Sequence, residues 1–140
     1  MTDEQIMLVK NSWKTFRRID ASVIGDLFYS KLFMDYPRLQ KMFPSVEQQH
    51  RKLVEMLSYI VSRLDKPEGM IEEIKALAIR HESYGVKPEH YKIAGDTLLW
   101  TIERGMGNEW NARVKDAWSA CYSMIAGTMI SATVHKQHTI

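Results

Sequence analysis

The sequence contains few of the residues that mark disulfide-rich, low-complexity or membrane proteins. Cys121 is the single cysteine among 140 residues, so an internal disulfide is excluded and stability has to come from packing or from a bound group. Four prolines and seven glycines are too few for a linker tract. No run approaches the ~18 apolar residues of a membrane helix, and the first residues lack the segments of a secretion signal. We therefore expect a soluble, cytoplasmic protein.

An excess of one charge is also absent. Nineteen basic residues against seventeen acidic ones give a net charge of +2, which excludes the strongly basic surface typical of nucleic-acid binding. The 140 residues, of which 45% are hydrophobic, correspond to one domain with a sizeable core. We expect a single domain over residues 1–134, followed by a polar C-terminal tail over 135–140.

The pattern that is present is helical from end to end. Apolar residues recur at a spacing of three and four, and no turn dipeptide joins two alternating strands, so the sequence predicts an all-α fold. Gly25 lies in the second helix and is expected to permit close helix approach. Capping and proline signals predict helix starts at Thr2, Asp20, Pro37, Ser45, Pro88 and Asn108, and helix stops near Phe43, Gly69, Gly85 and Gly105.

Two familiar enzyme motifs are incomplete in this chain. His81-Glu82 begins a zinc-protease pattern, but the second histidine would fall at Gly85. Gly105-x-Gly107 lacks a preceding strand and places Trp110 where a dinucleotide-binding loop has its third glycine. The residues therefore give no support to either activity.

His81 is the most informative position. It ends the apolar stripe of the helix that carries Ile74 and Leu77, one turn before Gly85. On its own this pattern fits two interpretations, a hydrogen-bonded core histidine and a metal ligand, and periodicity does not separate them.

Four separated segments together cover nearly the whole chain. They are Trp13, the run Phe28-Tyr29-x-x-Leu32-Phe33-x-x-x-Pro37-x-x-x-x-x-Phe43, the run Leu77-x-x-x-His81-x-x-Tyr84-Gly85-Val86-x-Pro88-Glu89-His90-Tyr91, and Asp116-Ala117-Trp118-x-x-x-Tyr122. In order and spacing these segments resemble the bacterial globins, and above all the globin module of flavohaemoglobins. Their agreement with one another is more specific than any one motif.

The resemblance implies a globin fold of about seven helices that encloses haem b, iron protoporphyrin IX. His81 would then be the proximal iron ligand, oriented through its second ring nitrogen by the carbonyl of Leu77 or the hydroxyl of Tyr91. Phe43 would stack against the porphyrin, and Arg80 would pair with a propionate. The full set that the resemblance places around the cofactor is Phe28, Phe43, Leu57, Leu77, Arg80, Val86, Tyr91 and Ala94.

On the other side of the iron the resemblance places Tyr29, Gln49 and Leu53. Gln49 and Leu53 are four residues apart, which puts them on one helix face. His50 shares a face with Val54 and Leu57 and stays open as the alternative distal polar residue. A tyrosine hydroxyl and a glutamine amide would stabilise the partial negative charge on bound O2, each by roughly 1–1.5 kcal/mol.

The resemblance implies reversible binding of O2, and of NO and CO, for oxygen transport, scavenging or nitric oxide chemistry. The iron would be pentacoordinate or weakly hexacoordinate, and the protein a monomer or homodimer. The first alternative is an NO dioxygenase that uses a separate reductase, since the sequence carries no reductase domain; the second is a haem-based sensory or interaction domain. Thr133 stands where flavohaemoglobins have a glutamate that pairs with the counterpart of Tyr91, which weakens the enzyme hypothesis.

Overall fold

A computed structural model describes the backbone of residues 1–43 and 46–138 and the side chains of residues 1–43 and 49–133. The described part contains six α-helices, a six-residue 3-10 helix (Pro37–Met42) and two single-turn 3-10 helices, with no strand. This confirms the all-α prediction of about seven helices. The α-helices are α1 (Asp3–Phe16), α2 (Ala21–Asp35), α3 (Val46–Ser62), α4 (Ile71–Ser83), α5 (Pro88–Met106) and α6 (Ala112–His138).

The predicted starts of the first two helices are confirmed by their side-chain caps. The Thr2 hydroxyl accepts from the Gln5 backbone N–H at 3.1 Å, and the Gln5 side chain accepts from the Thr2 N–H at 3.0 Å, which completes a capping box. Asp20 accepts from the Ser22 hydroxyl at 2.7 Å and from the Ser22 backbone N–H at 2.8 Å, and these two hydrogen bonds hold the pKa of Asp20 below its ordinary value. Ser45 lies outside the described residues, as do the side chains of 46–48.

The start of α6 was predicted three residues too early. Asn108 lies within a 3-10 turn (Gly107–Glu109), and Asn111 is the residue whose Oδ1 accepts from the Val114 N–H, at 3.0 Å. Both are asparagines followed within a few residues by an apolar stripe, so the capping signal alone did not distinguish them. At the other end, α6 extends through His138 into the segment predicted as a tail. The side chains of 134–140 lie outside the described residues, and the domain boundary at 134 remains a prediction.

An aromatic contact in the core joins the first helix to the last. Trp13 of α1 and Trp118 of α6 are buried with ring centroids 5.8 Å apart. The Trp118 indole N–H donates to the Ser12 hydroxyl at 2.8 Å, and that of Trp13 donates to Ser58 of α3 at 3.1 Å. Each indole therefore enters the core with its polar atom satisfied. Cys121 is 1% exposed in the same core, and burial raises the pKa of its thiol to about 12.

The helices that carry the predicted site residues, α3 and α4, pack against different partners. α1 and α4 pack against α6, and α2 packs against both α3 and α5, whereas α3 and α4 make no extensive contact with each other in the described residues. The two helices that carry Gln49 and His81 are therefore held apart by their other partners. α4 ends at Ser83, two residues before Gly85, whose φ of +91° is favourable only for glycine, so the predicted stop near Gly85 is confirmed.

Gly25 is where α2 and α3 approach most closely. A Cβ built on Gly25 would lie 2.4 Å from the Cβ and Cγ of His50 and 2.8 Å from its Cα. The predicted close approach is therefore confirmed, and α3 is the helix that makes it. No helix in the described part of the chain is long and apolar enough to cross a membrane.

Candidate functional site

Tyr29 is the centre of an aromatic cluster on the α2 and α3 side of the molecule. Its ring centroid lies 4.9 Å from that of Phe28, 5.3 Å from that of Phe43 and 5.9 Å from that of Phe33. Phe28 and Tyr29 are buried, and Phe43 is half-buried just after the Pro37–Met42 helix. The structure therefore brings together two residues that the resemblance had placed in different roles, Tyr29 and Phe43.

The Tyr29 hydroxyl makes no hydrogen bond to another described residue. The residue as a whole is 5% exposed. Burial raises the pKa of Tyr29 far above its ordinary value of 10, so the hydroxyl keeps its proton at any physiological pH. A bound ligand that accepts a hydrogen bond from this hydroxyl would be stabilised by about 0.5–1.5 kcal/mol.

His50 lies against the other side of this cluster. Its ring is stacked on the Tyr29 ring at 5.4 Å with an interplanar angle of 17°, and the residue is 8% exposed. Nδ1 lies 3.4 Å from a carboxylate oxygen of Asp26, whose side chain is largely exposed. Nε2 is buried and has no hydrogen-bond partner among the described atoms. A carboxylate beside Nδ1 favours the tautomer with the proton on that nitrogen, which leaves Nε2 as an acceptor.

Gln49 and Leu53, the other predicted distal residues, are both half-buried on α3, and Leu57 one turn further is buried. Gln49 makes no hydrogen bond to another described residue. The two distal alternatives thus have different surroundings, since His50 is packed on Tyr29 and beside Asp26 while Gln49 is more open.

His81 has the geometry that an iron ligand needs. It is half-buried near the end of α4, and its Nδ1 lies 2.9 Å from the Leu77 carbonyl. Of the two predicted partners of the His81 ring, the structure therefore shows the Leu77 carbonyl. Because a carbonyl oxygen only accepts hydrogen bonds, Nδ1 has to carry the proton in this contact. Burial lowers the pKa of His81, so the ring is neutral at pH 7 and carries its lone pair on Nε2. This donor and its environment fit the haem iron that the resemblance implies.

The pKa of Tyr91 depends on an acidic side chain that the sequence analysis did not connect with it. Tyr91 is buried, and its pKa is raised by burial and, second, by the negative charge of Glu82. Its carbonyl accepts from the Tyr122 hydroxyl at 2.7 Å, while the Thr133 hydroxyl donates to the Ile130 carbonyl at 3.0 Å. Thr133 is thus occupied by its own helix, and a carboxylate near Tyr91 comes from α4.

The remaining predicted cofactor residues differ in exposure. Leu77, Val86 and Ala94 are half-buried apolar residues that pack against the core, as expected for the lining of an apolar cleft. Arg80 is exposed beside His81, where a guanidinium can reach an anionic group at the surface.

Three residues of this region had no assigned role in the sequence analysis. Asp26 and Tyr122 acquire their contacts through helix crossings. Tyr122 had been quoted only as part of the motif in the last helix, and Glu82 had been weighed only as part of an incomplete zinc motif. Nothing in the sequence near Asp26 indicates its position beside His50.

Comparisons with known proteins agree on one family. The profile described as Globin matches residues 26–129. The flavohemoprotein of Deinococcus radiodurans is 32% identical over 136 residues, which is 93% of this chain and 33% of that protein. The chain thus spans about a third of the length of the flavohemoproteins it matches, such as those of Bacillus subtilis and Vibrio cholerae.

Solved structures show the same fold over the full chain. A bacterial globin from Campylobacter jejuni superimposes with a TM-score of 0.84 and 27% identity, covering 98% of this chain and 99% of that one. An engineered carbene transferase from Rhodothermus marinus, provisionally described as a nitric oxide dioxygenase, gives a TM-score of 0.88 at 22% identity, covering 100% and 99%.

Proposed function

The chain belongs to the globin family, whose members bind haem, and from that premise we propose that it binds O2 reversibly, together with NO and CO. The cofactor in this proposal is haem b, with His81 as the protein ligand to iron. Tyr29 and Gln49 stabilise the bound gas. The protein acts in the cytoplasm as a monomer or homodimer, with residues 1–134 as the globin domain.

The observation that carries the proposal is the hydroxyl of Tyr29, a residue that is 5% exposed. It is protonated, it lies among Phe28, Phe43 and His50, and no described residue accepts its hydrogen bond. Ferrous haem supplies the iron that binds O2 with partial negative charge on the outer oxygen atom. The hydroxyl stabilises that charge, and it discriminates in favour of O2 over the less polar CO.

Gln49 adds a second donor from α3. If each donor contributes about 1–1.5 kcal/mol, the pair slows O2 release by about one to two orders of magnitude. Slow release favours scavenging, sensing or nitric oxide chemistry over bulk oxygen transport. Leu53 is placed on the same helix face as Gln49, where it limits access of water to the ligand.

The proximal side determines how the haem is held. His81 donates from Nδ1 to the Leu77 carbonyl, which fixes its ring and leaves Nε2 for the iron. Apolar residues on both sides of the cleft would cover the porphyrin, and the exposed Arg80 would pair with a propionate. The proposed contact set is Phe28, Phe43, Leu57, Leu77, Val86, Tyr91 and Ala94.

The state of the sixth coordination position follows from His50. Its stacking on Tyr29 and its contact with Asp26 oppose the movement that direct binding to iron would require. We therefore propose a pentacoordinate iron, or one bound only weakly by a sixth protein ligand.

The experiment is the visible absorption spectrum of the purified protein as isolated, reduced, and reduced with CO. A haem band that shifts with CO is expected, and a His81→Ala variant should lose haem or change the spectrum of the iron. Tyr29→Phe should speed O2 release about five- to tenfold, the effect of one lost hydrogen bond. An unchanged off-rate in Tyr29→Phe would remove the hydroxyl from the mechanism.

Glu82 favours a second candidate, an NO dioxygenase that works with a separate reductase. Overall, NO, O2 and one electron give nitrate, and the reductase would supply the electron. The negative charge of Glu82 near Tyr91 offers the proximal carboxylate that Thr133 does not. Sustained nitrate production from NO with an added reductase is the expected result. A single stoichiometric event without turnover would exclude this activity, and Glu82→Gln should slow the turnover without loss of haem.

A further inference from the structure

We propose that His50 is a positioning residue for Tyr29, which holds the tyrosine ring in the single orientation that presents its hydroxyl to the ligand. This inference rests on the proposed role of Tyr29 as hydrogen-bond donor. Its basis is the stacked pair, in which the two rings lie 5.4 Å apart and within 17° of parallel. The pair crosses from α2 to α3, so the orientation of Tyr29 depends on a residue outside its own helix.

The His50 ring is itself held in place by the α2 backbone. Since Gly25 has no side chain, the Cβ and Cγ of His50 occupy space only 2.4 Å from where a Cβ of residue 25 would lie. Asp26, the next residue of α2, contacts Nδ1 at 3.4 Å. The imidazole is therefore fixed between the backbone of one helix turn and the face of Tyr29, which belongs to the following turn.

The space on the outer side of His50 is not filled by protein. A cavity of about 380 Å3 lies between the start of α2 and α3, lined by Asp20, Ala21, Ser22, Asp26, His50 and Arg51. Without the imidazole, this cavity would extend toward the ring of Tyr29. Tyr29 would then have room to rotate away from the ligand, so a second orientation of the hydroxyl is expected when the His50 ring is removed.

The flat ring and the polar nitrogen of His50 have separable roles. Nε2 is buried with no described partner, which opposes stability, and an apolar side chain would avoid that cost. Parallel stacking, by contrast, requires a planar ring. His50→Phe keeps the plane and removes both nitrogens, whereas His50→Leu keeps apolar bulk and removes the plane. The two variants therefore test stacking against polarity.

The test uses the haem-loaded protein with CO and with O2. The C–O stretching band in the infrared reports the position of a nearby donor, and each orientation of Tyr29 gives its own band. We expect one band in the parent protein and in His50→Phe, and a split band in His50→Leu. The O2 off-rate should rise about three- to fivefold in His50→Leu and stay within about twofold in His50→Phe. Only His50→Leu is expected to let part of the Tyr29 side chains turn the hydroxyl away from the ligand.

The double variant identifies the route of the effect. If His50 acts through Tyr29, adding His50→Leu to Tyr29→Phe changes neither the band nor the off-rate further. An equal effect of His50→Leu in both backgrounds, or none in the parent, would overturn the inference. An off-rate that Tyr29→Phe leaves unaltered would instead contradict the proposed function. Should His50→Leu fail to fold by circular dichroism, His50→Met against His50→Phe makes the same comparison, because methionine is apolar and has no ring.

Discussion

Replacing Gly25 by alanine perturbs the crossing of α2 and α3 with a single methyl group. The added Cβ would lie 2.4 Å from the Cβ and Cγ of His50 and 2.8 Å from its Cα. The last contact is with backbone, so a rotamer change in His50 does not relieve it, and α3 has to move. Overpacking of this kind costs about 1–3 kcal/mol, partly offset by the ~0.5–1 kcal/mol that alanine gains over glycine inside a helix.

The net expectation is a loss of about 1–2 kcal/mol in the free energy of unfolding, or roughly 4–8 °C in Tm for a chain of this size. Gly127→Ala is the matched control. A Cβ on Gly127 meets nothing within 4 Å, and the residue lies exposed in the middle of α6. That substitution should therefore raise Tm by about 2–4 °C through helix propensity alone.

The assay is thermal unfolding followed by far-ultraviolet circular dichroism at one pH and protein concentration. Equal Tm values for Gly25→Ala and Gly127→Ala would refute the close crossing. Because the shift of α3 also displaces His50, the Gly25 variant should release O2 faster than the parent, whereas the Gly127 variant should not.

Three further predictions concern stability. Trp118→Phe removes the hydrogen bond to Ser12 and leaves a small cavity, so it should lower the free energy of unfolding measured in urea by about 2 kcal/mol. The control, Trp100→Phe at a half-buried position, should lower it by under about 1 kcal/mol. Equal losses in the two variants would contradict the placement of Trp118 in the core. Burial lowers the pKa of His81 below 6.5, so as pH falls below that value the unfolded chain binds more protons than the folded one. The haem-free protein should therefore lose stability in this pH range more steeply than its His81→Leu variant. The pKa of Asp20 is also lowered, so the ionised Asp20 cap stabilises the fold above pH 3.8, and this stabilisation is lost as pH falls through the folded-state pKa. Asp20→Asn keeps a cap without a charge, so the Tm of this variant should depend less on pH between pH 5 and pH 3 than that of the parent.

Local signals in the sequence were sufficient for most helix boundaries. The Thr2 and Asp20 caps, Pro88 and Gly85 act within one turn of the backbone, so the residues that determine them are neighbours in sequence. The start of α6 shows the limit of this reasoning. Asn108 and Asn111 carry the same capping signal, and the 3-10 turn between Gly107 and Glu109, which selects Asn111, is a property of the folded chain.

The candidate site was predictable to a different extent on its two sides. The hydrogen bond from His81 to the Leu77 carbonyl follows from a spacing of four within one helix, and it was one of two predicted partners. The surroundings of His50 were not predictable, because its stacking on Tyr29 depends on how α3 crosses α2. Residue types on a stripe indicate which side chains point inward, but the angle and distance between two helices decide which of them meet.

The single thiol of Cys121 gives the chain an internal reporter of its own opening. With 1% exposure and a pKa raised to about 12, it is shielded from alkylating reagents, and its thiolate fraction near neutral pH is roughly a thousandfold below that of an ordinary cysteine. Reaction with iodoacetamide therefore requires a transient excursion that separates α6 from the rest of the core. The labelling rate converts directly into the free energy of that opening. The difference between the values measured with and without haem shows how much stability the cofactor adds.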